Sequence, residues 1–320
     1  MSKNKAQKLG FGTAAIGRPQ YINIKRKRKT SFSLVEFKKE GWDILELAYK
    51  NGIRYFDTAP GYGMAEQLLI EWAKTKRDNA IEIASKWGYV YKANFDLNAV
   101  LHEVKEHTLN RLNTQWITTS QALPYLSTYQ IHSATFETGV LSNQTILERL
   151  YEMKNKHQIK IGLTSTGKNQ KAVLEKAINI QVNGEDLFDT FQLTYNILDQ
   201  SCFEIASVIA QKNKRVVIKE AVANGRLMPN ENYPNYSELY QTLQKIADHH
   251  NVGIDAIALR FCMDTVSTYS VLSGAALPEH LVDNLKSETF HLTDDEIDLL
   301  KSFQSTPEDY WQERKQLEWK

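Results

Sequence analysis

The stretch GIRYFDTAPGYGMAEQLL (residues 52–69) decides how this chain is read. A short apolar run, Ile53 to Phe56, stops abruptly at Asp57. A Pro60-Gly61 turn then presents Tyr62 ahead of a helix-like segment. Two later runs stop the same way: IEIASKWG (81–88) at Lys86 and TYQIHSAT (128–135) at His132. Ionisable side chains gathered at the C-terminal ends of successive parallel strands mark the active mouth of a (β/α)₈ barrel. A carboxylate, a phenol, an ammonium and an imidazole converging on one point form a proton-transfer device rather than a packing feature.

Working outward, short β-like runs alternate with helix-like ones almost throughout. LGFGTAA (9–15) reads as the first strand. Leu34, Phe37, Trp42, Leu45 and Ala48 recur at helical spacing over 34–51, with Asn51-Gly52 as the stop. Strands follow at 54–59, 81–87, 128–133, 159–165, 191–196, 215–221 and 269–275. Between them, helices are expected at 64–76, 96–112, 143–156, 168–179, 201–212, 236–250, 254–265 and 278–287. Eight strand–helix units favour a closed parallel barrel over an open doubly wound sheet. The expected organisation is one α/β barrel domain over residues 1–320, with a loop at 16–33, a second loop at 222–235 and a tail at 304–320.

Composition excludes several classes. The 42% apolar and 24% charged content is that of an ordinary globular protein, and the net charge of +1 gives no general attraction to nucleic acid or membrane. Cys202 and Cys262 lack metal-ligand spacing and read as small core residues in a reducing cytosol. No metal site is expected. The N-terminus has no apolar signal-like region, and no run reaches the ~18 apolar residues of a spanning helix. A cytoplasmic location is therefore expected.

Tyrosine is a weak acid, with an ordinary pKa of about 10. It donates a proton in a transition state when nearby cations stabilise its phenolate. Lys86 supplies the cation, Asp57 holds Lys86, and His132 offers a further hydrogen bond. Tyr62 is then the general acid toward a carbonyl, or as phenolate the base toward an alcohol. None of these groups supplies electrons, so a hydride donor must bind alongside.

At this point the residues carry a family resemblance. The DTAxxYGxxE pattern within residues 57–66 resembles the signature of the aldo-keto reductases. SKWG and YQIH resemble the family's lysine and histidine segments, and IKIGLTS, FQLTYNILDQ, NGRL and LSGAALPEHLVDNL follow in the family order over roughly residues 9–303. The resemblance implies an oxidoreductase dependent on NADP(H) or NAD(H), acting on small carbonyl or alcohol substrates, with Asp57, Tyr62, Lys86 and His132 as its tetrad. It also implies a cofactor set. Thr164, Ser165 and Gln192 fall where the family holds the nicotinamide carboxamide, with Thr-Ser replacing the usual Ser-Asn.

On strand seven, aligned on Gly225 and Leu227, Lys219 and then Glu220 stand where the family stacks an aromatic ring on the nicotinamide. Two readings stay open: a salt-linked Lys219–Glu220 pair beside the cofactor, since an unbalanced lysine would disfavour the cationic oxidised ring, or a Lys219 that points outward between strand and helix. Asn224, Gly225 and Arg226 are placed at the pyrophosphate. Ser273, Gly274, Ala275, His280 and Asn284 are placed at the far phosphate and the adenosine. Relatives that prefer a 2′-phosphorylated cofactor often carry Lys or Arg here, whereas this chain has Gly274, Ala275 and His280, which weakens the case for NADP(H) without establishing NAD(H).

Three features lie outside this reading. Lys25, Arg26, Lys27, Arg28 and Lys29 are consecutive. They read as a solvated loop, or as a patch steering anions toward the barrel mouth, rather than as a nucleic-acid site. Trp87, Tyr21 and the tail's Tyr310, Trp311 and Trp319 are candidates for the pocket wall or for packing. The alternative function is a nicotinamide-cofactor-binding regulatory subunit with little turnover, like the family-related β subunits of potassium channels. Substrate, direction and oligomeric state are not legible.

Overall fold

The structure, a computed structural model, describes residues 7–20 and 33–318. Eight parallel strands close into a barrel: β1 (Leu9–Gly12), β2 (Tyr55–Asp57), β3 (Glu82–Trp87), β6 (Leu126–Ala134), β7 (Lys160–Ser165), β10 (Thr190–Thr194), β11 (Arg215–Lys219) and β12 (Ser270–Ser273). They are joined in chain order around the ring, with β1 bonded to both β2 and β12. The expected eight strands are all present. Two small hairpins lie outside the ring, β4 (Tyr89–Tyr91) with β5 (Glu103–Lys105) and β8 (Gln181–Val182) with β9 (Glu185–Asp186).

Helices pack around the outside: α1 (Leu34–Lys50), α2 (Ala65–Lys76), α3 (Leu109–Thr119), α4 (Gln144–His157), α5 (Gln170–Ala177), α6 (Phe203–Gln211), α7 (Ser237–His250), α8 (Ile254–Thr265), α9 (Pro278–Leu285), α10 (Asp294–Lys301) and α11 (Pro307–Lys315). Their ends follow local chemistry. Ser33 Oγ accepts from the Glu36 amide at the start of α1, and Gly52, at φ +92°, takes the chain out of it. A reciprocal Thr293–Glu296 capping box opens α10.

Every barrel strand has two buried faces, as an all-parallel sheet requires. One face meets the helices in a continuous core containing Phe56, Ile83, Ile131, Leu163 and Phe191. The other fills the barrel in layers, because side chains two apart share a face. On β3 the inward series is Glu82, Ala84, Lys86, and on β11 it is Arg215, Val217, Lys219. Tyr55, Ala84, Val217 and Leu272 make the apolar middle layer. Below it, Glu82 accepts from Arg215 at 2.7 Å and from the Tyr269 hydroxyl. Above it, at the strand C-termini, lies the polar mouth.

The expected helix at 96–112 is not formed. Residues 103–105 instead belong to the β4–β5 hairpin, and the helix begins only at Leu109, capped by Thr108. Leu97, Val100, Leu101 and Val104 do recur at helical spacing, but all four are exposed, Val100 almost completely. The periodicity therefore did not report a buried helix face. β1 also stops at Gly12, short of the expected Ala15, and residues 14–19 form turns. The 25–29 basic run, Tyr21 and Trp319 lie outside the described residues.

Candidate active site

The three strand ends that open the sequence reading meet at the barrel mouth. Asp57 ends β2, Lys86 projects from β3, and His132 lies near the end of β6. β2 and β3 are paired in register, Asp57 against Ala84, and β3 pairs with β6, Lys86 against Gln130. Lys86 is completely buried and donates to Asp57 Oδ1 and to the Thr58 carbonyl at 3.0 Å. The other Asp57 oxygen accepts from Gln192 at 2.8 Å. Tyr62 Oη sits 3.4 Å from His132 Nε2, and the Lys86 ammonium lies 4.9 Å from the centre of the Tyr62 ring.

The turn carrying Tyr62 is set by backbone approach. Met64 donates its amide to the Gly17 carbonyl at 2.8 Å. A Cβ on Gly17 would stand 2.0 Å from the Tyr62 carbonyl oxygen, and one on Gly63, at φ +65°, 2.3 Å from that of Gly17. Only glycines let the β1 loop lie directly on the Tyr62 turn.

Burial and charge set the proton affinities. Burial lowers the Lys86 pKa, and Asp57 opposes this by favouring the ammonium. His132 is pushed well below the ordinary histidine value by burial, then by Lys86, Lys219 and Arg18. It is therefore a neutral imidazole near pH 7. Its Nδ1 is buried without a partner. With its proton on Nε2, the ring is a donor aimed at the Tyr62 hydroxyl region. Behind the tetrad, Glu66 is raised to about 7 by burial and accepts from Ser85 and from Thr119 at 2.8 Å.

A cavity of about 1000 Å³ opens from this tetrad across the barrel mouth. Asp57, Tyr62 and His132 line it, while Lys86 lies beneath. Of the expected cofactor residues, Thr164, Gln192, Lys219, Glu220, Asn224 and Gly225 line it on the β7–β11 side, and Ser273, Gly274, Ala275, His280 and Asn284 beyond β12. Two do not. Ser165 is fully buried outside the lining. Arg226 is likewise buried, turned away to bond the Ala223 and Tyr310 carbonyls and Glu313, each at 3.1 Å. Its guanidinium anchors α11 rather than facing the cavity.

Lys219 faces the cavity and does pair with Glu220, at 3.9 Å, with a shorter bond to Thr194 Oγ1 at 2.7 Å. Glu220 binds Arg314 of α11 more closely, at 2.9 Å, and is held at about 2 chiefly by that guanidinium and Lys219, against burial. The tail thus packs on the barrel and also lines the cavity: Tyr310 and Trp311 are buried, and Trp311 and Arg314 line the cavity. Trp87 is not a wall residue. It is fully buried, its ring 5.4 Å from that of His107.

Several lining groups had no strong sequence signal. Arg18 bonds the Gly61 carbonyl at 3.0 Å and Glu103 at 2.7 Å, with its guanidinium 5.3 Å from the centre of the Tyr62 ring. Tyr89 packs against His132 with ring centres 4.7 Å apart, and burial pushes its phenol up to about 12. Both belong to the hairpin region that was expected to be helical or to its contacts. Among the described residues one cluster has metal-ligand chemistry, His249, His250 and Glu296, and it lines no part of this cavity. Its members already bond one another at 3.0–3.1 Å, and Glu296 also closes the α10 capping box. Among the described residues no helix is long and apolar enough to cross a membrane.

Known proteins agree with this architecture. The model of the aldo/keto reductase family matches residues 8–305. A curated relative, a D-threo-aldose 1-dehydrogenase from a Pseudomonas species, is 24% identical over 86% of this chain and 87% of its own. Among solved structures, a glycerol dehydrogenase from Gluconobacter oxydans superposes with a TM-score of 0.69 at 18% identity, covering 94% of this chain and 92% of that one. An aldo-keto reductase from Bacillus halodurans in holo form gives 0.68 at 20% identity, covering 93% and 92%. Matched over nearly its whole length and folded as the same closed barrel, the chain belongs to the aldo/keto reductase family and is an NAD(P)-dependent oxidoreductase acting on carbonyl or alcohol groups.

Proposed function

We propose that Tyr62 exchanges a proton with the substrate oxygen, assisted by Lys86, Asp57 and His132, next to a bound nicotinamide dinucleotide. The observation that carries this reading is the convergence of the four side chains at one wall of the large cavity. Cavity and donors fit such a cofactor. The volume is at the upper end of the usual range for a ligand site, and polar side chains line the cavity on both sides of its width. Thr164 and Gln192 would hold the carboxamide end, and Ser273, Ala275 and Asn284 the phosphate and adenosine end. When bound, the dinucleotide supplies or accepts the hydride.

The chain's own residues handle the proton. In reduction, the Tyr62 Oη–H bond breaks as the carbonyl oxygen takes that proton. The Lys86 ammonium, close under the ring, stabilises the resulting phenolate. In oxidation the phenolate takes the alcohol proton back. Asp57 keeps Lys86 charged and in place, and Gln192 fixes the other carboxylate oxygen so that Asp57 cannot swing away. Neutral His132 orients the substrate oxygen by donation from Nε2, and Tyr89 packed on its ring holds that orientation.

The aldose and glycerol dehydrogenase names of two similar proteins make polyols and aldoses the first substrates to try. Titration with NADH and NADPH, followed by fluorescence, should show saturable binding. Turnover on a panel of aldehydes, aldoses and polyols should follow with the preferred dinucleotide. Tight retention with no turnover on any of them would instead favour a regulatory subunit.

A further inference from the structure

We infer that Asp255 makes the adenosine end of this cavity selective for NAD(H) over NADP(H); the inference rests on the dinucleotide reading above. Asp255 was not among the residues expected from sequence. It stands in the first turn of α8, not on a strand-end loop, and lines the cavity beside Ala275, His280 and Asn284.

Its position is fixed from both sides. Oδ1 accepts from the Ala256 amide at 3.0 Å. The Asn284 amide bridges this wall; its neighbours assign the orientation in which its oxygen accepts from Ser273 Oγ at 2.8 Å and its nitrogen donates to the His280 carbonyl at 3.1 Å and to Asp255 Oδ2 at 2.5 Å. Ser273, Asn284 and Asp255 therefore form one connected polar wall, with a carboxylate at its end.

The charged side chain that lines this wall is acidic. Among the described residues, the cavity's lysines and arginines are Arg18, Lys105, Lys219, Arg314 and Lys315, from the β1 loop, β5, β11 and α11. Among the described residues, α8, β12, the loop after β12 and α9 contribute none to the lining. The nearby Lys286 is bound by Asp283 at 2.7 Å and is outside the lining. Among the described residues His280 is the titratable base in this part of the lining, and it is exposed.

A fixed carboxylate accepts hydrogen bonds from a ribose diol, and it repels a phosphate ester carrying nearly two negative charges. Among the described residues no lysine or arginine lines this wall, so a 2′-phosphate there meets like charge from Asp255. Selectivity here comes from repelling the wrong cofactor as well as from binding the right one.

The test is a fluorescence or calorimetric titration of the intact chain with NAD⁺, NADP⁺, NADH and NADPH, which reads binding without turnover. The parent should bind the unphosphorylated forms at least about tenfold more tightly, and Asp255→Asn should lower that ratio by about tenfold through gained NADP(H) affinity. Asparagine keeps an acceptor for the Asn284 amide, and the melting temperature checks that the variant is folded. Equal affinities in the parent, or an unchanged ratio in a folded Asp255→Asn, would overturn the inference while leaving the dinucleotide site standing. A parent that binds none of the four would overturn the underlying reading, and this inference with it.

Discussion

The barrel holds two ion pairs on the inward face of the same strand, and they do different work. At one end of β3, Glu82 meets Arg215 and Tyr269; four residues on, Lys86 meets Asp57. Four residues of strand separate them by about 13 Å. The lower pair is partly open, with 29% and 23% of its side-chain surfaces exposed, and is covered by the Tyr269 ring. Neither member lines the large cavity. The upper pair is closed to solvent on the lysine side and stands directly beneath Tyr62 in the wall of the large cavity. One pair plugs the barrel. The other, on the proposed mechanism, keeps a cation charged where a phenolate would form. The difference lies in what each pair faces, not in the residue types.

Of the two pairs, breaking the upper one should have the larger effect. Lys86→Met leaves Asp57 buried without its cation and Tyr62 without its stabiliser. It should cost about 3 kcal/mol of unfolding free energy, the low end for a broken buried pair because Gln192 still bonds Asp57, and should lower turnover by about 10²-fold or more. Chemical denaturation and steady-state kinetics would read both. The matching change at the lower pair, Glu82→Gln, should cost about 1–2 kcal/mol, discounted for partial exposure, and leave turnover unchanged. A large loss of turnover in Glu82→Gln would break the comparison.

A smaller effect sharpens the role of burial near His132. His107 bonds the His132 carbonyl at 2.9 Å, and burial depresses its pKa to about 4. Its folded value lies below its unfolded value of about 6.5, so the unfolded chain binds more protons between them. Parent stability should therefore fall, relative to His107→Gln, as pH drops from about 6.5 toward 4. The slope should approach about 1.4 kcal/mol per pH unit for this one group. Unfolding curves of both proteins at several pH values would show it, and parallel pH profiles would contradict it.

The same contrast explains what was legible in the sequence. Asp57, Tyr62, Lys86 and His132 could be read because an apolar strand that ends in an ionisable residue is a local signal, repeated on consecutive strands. The eight barrel strands followed from the same punctuation. The segment 96–112 misled because its apolar residues keep helical spacing while facing outward: Val100 stands at the cavity rim. Exposed apolar residues at a ligand opening carry the same pattern as a core face, and only packing tells them apart. Arg226 misled for a related reason. A guanidinium after a glycine loop reads as a phosphate ligand until α11, distant in sequence, is seen to occupy it. Arg18 and Asp255 act through partners dozens of residues away, which no local pattern announces.

The Tyr62 hydroxyl is the group proposed to exchange the proton. The direct test compares Tyr62→Phe with the parent at saturating dinucleotide and alcohol or aldehyde, alongside dinucleotide affinity and melting temperature. Turnover should fall by about 10³-fold while affinity and melting temperature hold. A Tyr62→Phe enzyme that binds the dinucleotide and turns over like the parent would contradict it.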